Sequence, residues 1–247
     1  MLLKGKTAVV TGCNRGIGKK ILEIFSENKA TVFACVRNVD EEFKSFLNEL
    51  TKKFNNQIIP IQFDLIDENK IKVAANDILA SNKPIDILVN NAATIHTALF
   101  QMTSIKKLKE IFEINLFSQT IFTQYILKSM IKNKKGSIVY ISSSSALDGN
   151  EGRSAYSSTK AAIITQAKVL SRELGVHNIR VNSIAPGLTD TDMMKENHKK
   201  EIVNEIISRT SLRRIADPKE IANIVLLLSS DLTSYITGQN IRVDGGM

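Results

Sequence analysis

Only two cysteines, Cys13 and Cys35, occur in 247 residues, too few for a disulfide framework, and a reducing compartment follows. No apolar run approaches the roughly 20 residues that span a bilayer, so no membrane partner is expected. The opening MLLKGKTAVVTG carries Lys4 and Lys6 but no extended apolar stretch, and does not read as a signal peptide. A cytoplasmic protein is the economical expectation. Zinc-finger spacing, RNA-stacking aromatic motifs and a basic helix suited to a groove are all missing, so neither a metal nor nucleic acid is expected. No linker, low-complexity break or internal repeat divides the chain, and residues 1–247 read as a single domain.

What is present is an ordinary globular composition, 43% hydrophobic and 23% charged. A domain of this size buries about 70% or more of its unfolded surface, so it needs no disulfide or metal staple. The net charge of +8 favours anionic partners, phosphate-bearing cofactors among them, although a lysine-rich surface accounts for the same number.

Strands and helices alternate throughout. Thr7 to Val10 reads as a β-branched strand, and Thr11-Gly12-Cys13-Asn14-Arg15-Gly16-Ile17-Gly18 follows it directly. Ile17, Ile21, Ile24 and Phe25 then recur at helical spacing. Strand, glycine loop and helix form a dinucleotide-binding context, in which backbone and helix N-terminus receive a pyrophosphate. The spacing is G-x-x-x-G-x-G rather than G-x-G-x-x-G. A second strand, Thr31 to Val36, ends at Arg37. A carboxylate there would hold an adenosine ribose, whereas a cation favours a 2′-phosphate. Arg37, with Arg15 in the loop, therefore points to NADP(H). Two solvated arginines are the bland alternative.

Further strands are expected at Ile58–Phe63, closed by Asp64-Leu65, and at Asp86–Val89, running into Asn90-Asn91-Ala92-Ala93. One long helix is expected over about 104–133, with Asn115 in its apolar middle. Ile179 to Ala185 is the sixth strand, ending at Pro186-Gly187. Leu188–Lys200 reads as a loop or lid, and Asn240 to Val243 closes the series. The pattern implies an α/β fold, a doubly wound Rossmann-type parallel sheet of about seven strands with helices on both faces.

The central stretch is GSIVYISSSSALDGNEGRSAYSSTK, Gly136 to Lys160. A buried strand ends in four serines, Ser142 to Ser145, and a helix opens around Tyr156. Tyr156 and Lys160 are four apart and share a helical face. An ammonium beside a phenol favours the phenolate, and should lower a pKa otherwise near about 10. A serine hydroxyl from the strand end could join them. By itself a Tyr-x-x-x-Lys pair is more often a solvated face with a packed ring; the serines and the glycine loop argue for a proton-transfer site.

Taken together, TGCNRGIG, DL at 64–65, NNAA, Asn115, ISS with YSSTK, NSIAPG with Thr191, and ITGQNIRVDGG resemble the short-chain dehydrogenase/reductase family over essentially the whole chain. Within it, RVNSIAPGLTDTDM, ADPKEIA and SYITGQNIRVDGGM look most like the 3-oxoacyl-[acyl-carrier-protein] reductase group. The resemblance implies catalytic roles for Ser143, Tyr156, Lys160 and Asn115. Tyr156 would be the general acid, Ser143 the hydroxyl that steadies the carbonyl oxygen, Lys160 the ribose-binding residue that tunes Tyr156, and Asn115 a feeder of a proton relay. Ser143 is singled out by its thirteen-residue spacing to Tyr156. Cofactor contacts are implied for Gly12, Asn14, Arg15, Gly16, Ile17, Gly18, Arg37, Asp64, Leu65, Asn90, Ala92, Tyr156, Lys160, Pro186, Gly187, Leu188 and Thr191.

Ala93 and Ala146 depart from glycines common in the family. Lys134 and Lys135 fit one basic site expected beside the entrance for acyl carrier protein, while His177 stands where an arginine would be expected. The implied activity is NADPH-dependent reduction of a small-molecule or acyl-thioester ketone, delivered on acyl carrier protein in the reductase group, by a homotetramer. A dehydrogenase of a sugar, polyol or other small alcohol is the competing expectation. A catalytically inactive cofactor-binding regulator is a third, opposed by the intact Ser143, Tyr156, Lys160 and Asn115.

Overall fold

A computed structural model describes residues 1–247. In chain order the main elements are β1 Thr7–Thr11, α1 Gly16–Glu27, β2 Thr31–Val36, α2 Glu41–Phe54, β3 Ile58–Gln62, α3 Glu68–Ala80 and β4 Ile87–Asn90. Then come α4 Ile105–Phe112, α5 Ser118–Asn133, β5 Gly136–Ile141, α6 Ser145–Asp148, α7 Ser154–Leu174 and β6 Ile179–Pro186. The chain closes with α8 Asp192–Asn197, α9 Lys200–Arg209, α10 Pro218–Ser229 and β7 Asn240–Val243. All seven strands lie in one parallel sheet, ordered β3-β2-β1-β4-β5-β6-β7. The order reverses between β1 and β4, and in a sheet of this type ligands bind beyond the strand ends at that point.

Two apolar layers hold helices to the sheet, because alternate residues of each strand face opposite sides. Ala8 and Val10 of β1 face one layer with Ile21 and Phe25 of α1, Phe43 and Leu47 of α2, and Ile221 and Val225 of α10. Val9 faces the other, with Ile71 and Ile78 of α3, Phe122 and Ile126 of α5, and Ile163 of α7. Strands buried on both faces read as continuous β-branched runs, as β1 and β5 do. Pro60 lies in β3, an edge strand, where a missing ladder donor is tolerated.

Two expectations are corrected. The single helix over 104–133 is interrupted by a π turn at Glu113–Phe117, where the Ser118 N–H reaches the Glu113 carbonyl. Asn115 sits in that turn, fully buried, with its amide accepting from Thr94 N at 2.8 Å and donating to Thr94 O at 2.9 Å. Binding a neighbouring chain at both ends of one buried amide goes with a widened turn, a feature that recurs at functional sites. The Leu188–Lys200 segment contains α8, started by Thr191, whose hydroxyl accepts from Met194 N at 3.2 Å.

Candidate active site

A cleft of about 720 Å³ opens along the C-terminal ends of β1, β2, β4, β5 and β6. At its floor the glycine loop leaves β1. Gly12 has φ +67°, and a Cβ there would stand 2.8 Å from Ala92 Cα. A Cβ on Gly18 would collide with the Gly12 carbonyl oxygen and with Asn91 Nδ2. Only glycine lets these backbones approach so closely, leaving a cradle of the kind a pyrophosphate needs. Asn91 donates to Thr11 O at 3.0 Å and Gly12 O at 2.9 Å, clamping the loop to the end of β4.

Most of the expected cofactor residues line this cleft: Gly12, Asn14, Arg15, Gly16, Ile17, Gly18, Arg37, Asp64, Leu65, Ala92, Pro186, Gly187, Leu188 and Thr191. Asp40, the first acid after β2, is occupied as the N-cap of α2, accepting from Phe43 N at 2.8 Å. No carboxylate therefore stands at the ribose position directly after β2. Asn90 is the exception among the expected contacts. It is buried and turned toward α5, donating to Thr123 Oγ1 at 2.9 Å, while Asn91 reaches the cleft. Strand alternation sends adjacent side chains to opposite faces, and a one-residue difference decides which asparagine meets the loop.

Ser143, Tyr156 and Lys160 meet on the cleft wall beyond β5. Of the four serines, Ser142 donates to the Lys160 carbonyl at 2.8 Å, and Ser145 pairs with Ser157 at 2.6 Å. Ser143 acts on Tyr156, its hydroxyl opposing the effect of burial on the phenol. Lys160 is 1% exposed, and its Nζ donates to Ile141 O at 2.7 Å. That ammonium lies 5.6 Å from the Tyr156 ring centroid.

The electrostatics correct the expectation drawn from the Tyr156–Lys160 spacing. Burial raises the Tyr156 pKa above its ordinary value, and Ser143 and then Arg153 pull it back. Burial pushes Lys160 down to about 7, so at neutral pH the amine is poised between its two forms. Arg153 is a second cation acting on Tyr156, beside Lys160 over its ring. It stands three residues before Tyr156 at the start of α7, a helical spacing in the sequence that could have pointed to it.

Asn115 does not line the cleft. Besides Thr94, its amide donates to Thr159 Oγ1 at 3.2 Å, and that hydroxyl donates to Tyr156 O at 2.7 Å. Asn115 thus braces the helix that carries the tyrosine. Lys134, Lys135 and His177 lie just before β5 and β6, at the N-terminal ends of the strands and away from the cleft. They do not flank the entrance formed by this chain.

Residues 12–247 match the profile of a family described as enoyl-(acyl carrier protein) reductase. A 3-oxoacyl-[acyl-carrier-protein] reductase of Aquifex aeolicus is 38% identical over 245 residues, covering 99% of this chain and 98% of the relative. A solved 3-oxoacyl-[acyl-carrier protein] reductase from Brucella melitensis superposes with a TM-score of 0.89 at 28% identity, covering 100% of this chain and 92% of that one. A 7α-hydroxysteroid dehydrogenase, solved with NADH and a 7-oxo bile acid, gives 0.91 at 32% identity, covering 99% and 94%. Cleft, glycine cradle and serine–tyrosine–lysine cluster agree with these likenesses: the chain belongs to the short-chain dehydrogenase/reductase family, oxidoreductases acting on CH–OH and C=O groups.

Proposed function

We propose that the protein reduces a ketone with NADPH, and that a 3-oxoacyl thioester of the kind carried by acyl carrier protein is the substrate class. The observation that carries this reading is Tyr156, buried on the cleft wall with Ser143 and Arg153 acting on its phenol. The full-length similarity to 3-oxoacyl-[acyl-carrier-protein] reductases supports the substrate class. The cofactor, when bound, supplies the hydride. Gly12, Gly16 and Gly18 would hold its pyrophosphate, with Asp64 and Leu65 at the adenine and Arg37 and Arg15 at a 2′-phosphate.

Tyr156 gives a proton to the carbonyl oxygen as negative charge develops there, and Ser143 donates a hydrogen bond to the same atom. A phenol held protonated by burial is a competent acid at neutral pH, which suits reduction. Lys160, near its own midpoint at about pH 7, can return a proton to the tyrosine side. Asn115 positions α7 through Thr159 and, as the family resemblance implies, would also feed the proton relay. The Cys13 and Cys35 thiols, free and buried, suit the cytoplasm, and no helix is long and apolar enough to cross a membrane.

Steady-state assays with NADPH against 3-oxoacyl thioesters, sugars and small ketones test the reading. The thioesters should have the highest kcat/KM. Preference for a sugar or polyol would overturn the substrate class, and no ketone turnover at all would overturn the activity.

A further inference from the structure

Arg153 is 6% exposed, yet no carboxylate pairs with it. Its Nη2 lies 3.3 Å from Asn197 O and 3.0 Å from His198 Nε2, at the end of α8. His198 Nδ1 is 3.2 Å from Met194 O, which favours the proton on Nδ1 and leaves Nε2 to accept from the guanidinium. Nη1 is buried with no partner. Buried guanidinium groups are normally paired with anions, because desolvation is costly without compensation. Other arginines are better satisfied: the exposed Arg242 and Arg214 grip Asp148 and Glu220 with both terminal nitrogens, and the partly buried Arg180 donates to the carbonyls of Ile236, Leu228 and Ser230. Arg153 is instead left with a neutral ring, a peptide oxygen and the Tyr156 phenol, in the wall of the cleft where the reacting carbonyl would lie.

We propose that Arg153 is a substrate-binding residue that receives the C1 oxygen of a 3-oxoacyl unit while the C3 carbonyl faces Tyr156. This rests on the reading of the chain as a ketone reductase and adds the group that selects among ketones. A polarised acyl oxygen or a carboxylate, two carbons from the reacting centre, complements a cation with a free donor. Neutral sugar hydroxyls answer it more weakly. Asn197 and His198 hold Nη2, which fixes the guanidinium in the cleft wall and leaves Nη1 as its unpaired donor.

The test compares wild type, Arg153→Lys, Arg153→Gln and Arg153→Met with NADPH. Three substrates are used: the acetoacetyl thioester of N-acetylcysteamine, free acetoacetate, and cyclohexanone, which lacks the C1 oxygen. Arg153→Met should lose roughly ten- to hundredfold more kcat/KM on the two oxoacyl substrates than on cyclohexanone, the weight of a hydrogen bond to a charged group. Most of that loss should appear in KM, and Arg153→Lys should recover part of it. Arg153→Gln should show the same split and guards against a folding failure of the methionine variant. A larger loss on the thioester than on acetoacetate identifies a carbonyl as the acceptor, and the reverse a carboxylate; either supports the assignment. Equal losses on all three substrates would overturn it, leaving Arg153 to act only through Tyr156 and α8 and the reductase reading intact. A wild type that reduces none of the three would overturn both.

Discussion

Arg15 Nη1 donates to Glu196 Oε1 at 3.0 Å, tying the glycine loop to α8 across the mouth of the cleft. The pair is about half exposed on both sides, so it is held weakly and a phosphate can compete for the guanidinium. Glu196→Ala should release Arg15 and tighten NADPH binding by roughly two- to fivefold, the worth of one surface ion pair. Titration of the variant with NADPH and NADH checks this: NADH affinity should stay level, and equal tightening for both would remove Arg15 from the phosphate site.

Arg37 follows β2 directly and is exposed on the cleft wall. A partly exposed contact between guanidinium and phosphate is worth about 1.5–3 kcal/mol, or roughly tenfold to a hundredfold in preference. Arg37→Asp should move the ratio of kcat/KM for NADPH over NADH down by at least that much. An unchanged ratio would mark Arg37 as a surface residue.

Tyr156→Phe removes only the hydroxyl from a buried ring. Turnover should fall about a hundredfold or more, as for the loss of a general acid, while NADPH affinity stays close to normal. Stopped-flow and equilibrium titration separate the two; a variant keeping most of its turnover would displace Tyr156 from its role.

Lys160 carries a stability penalty with a defined pH window. Its folded pKa is about 7 and its ordinary value 10.5. Below about pH 7 both folded and unfolded chains bind the proton, and the cost of burying the charge is present in full. Between those values the unfolded chain binds a proton the folded one has lost, so stability rises with pH. Lys160→Met should therefore be more stable than wild type at pH 7 by about 2 kcal/mol, after allowing about 1–3 kcal/mol for the orphaned Ile141 carbonyl. Urea unfolding at pH 7 and pH 10 reads this out, and an advantage that fails to shrink at the higher pH would show that desolvation is not its cause.

Apolar side chains stand exposed along α4, α5 and α7, including Ile105, Ile131 and Val169, and Leu232 and Tyr235 project near the C-terminal end. Faces of this kind favour self-association. Light scattering should return a homotetramer, with the α4–α5 and α7 faces at one interface and Ser234–Met247 at the other. A stable monomer would oppose this arrangement.

Much of this was legible in the sequence because it is local. Alternating β-branched runs and helical stripes mark strands and helices through periods that short segments carry by themselves. Tyr156 and Lys160 share a face because four residues make about one helical turn. Gly12, Gly16 and Gly18 sit at the end of β1 because the strand stops there.

What the tertiary structure decided depends on partners remote in the chain. Arg15 meets Glu196 across 181 residues, and Arg153 meets His198 across 45. Whether Asn90 or Asn91 holds the glycine loop follows from the pleat of β4 against β1, and Asn115's π turn from the backbone of Thr94. Spacing predicted that Lys160 would depress the Tyr156 pKa. Burial under distant segments raised it instead and pulled Lys160 down, because desolvation is set by everything packed around a group and spacing reports only its nearest neighbours in the helix.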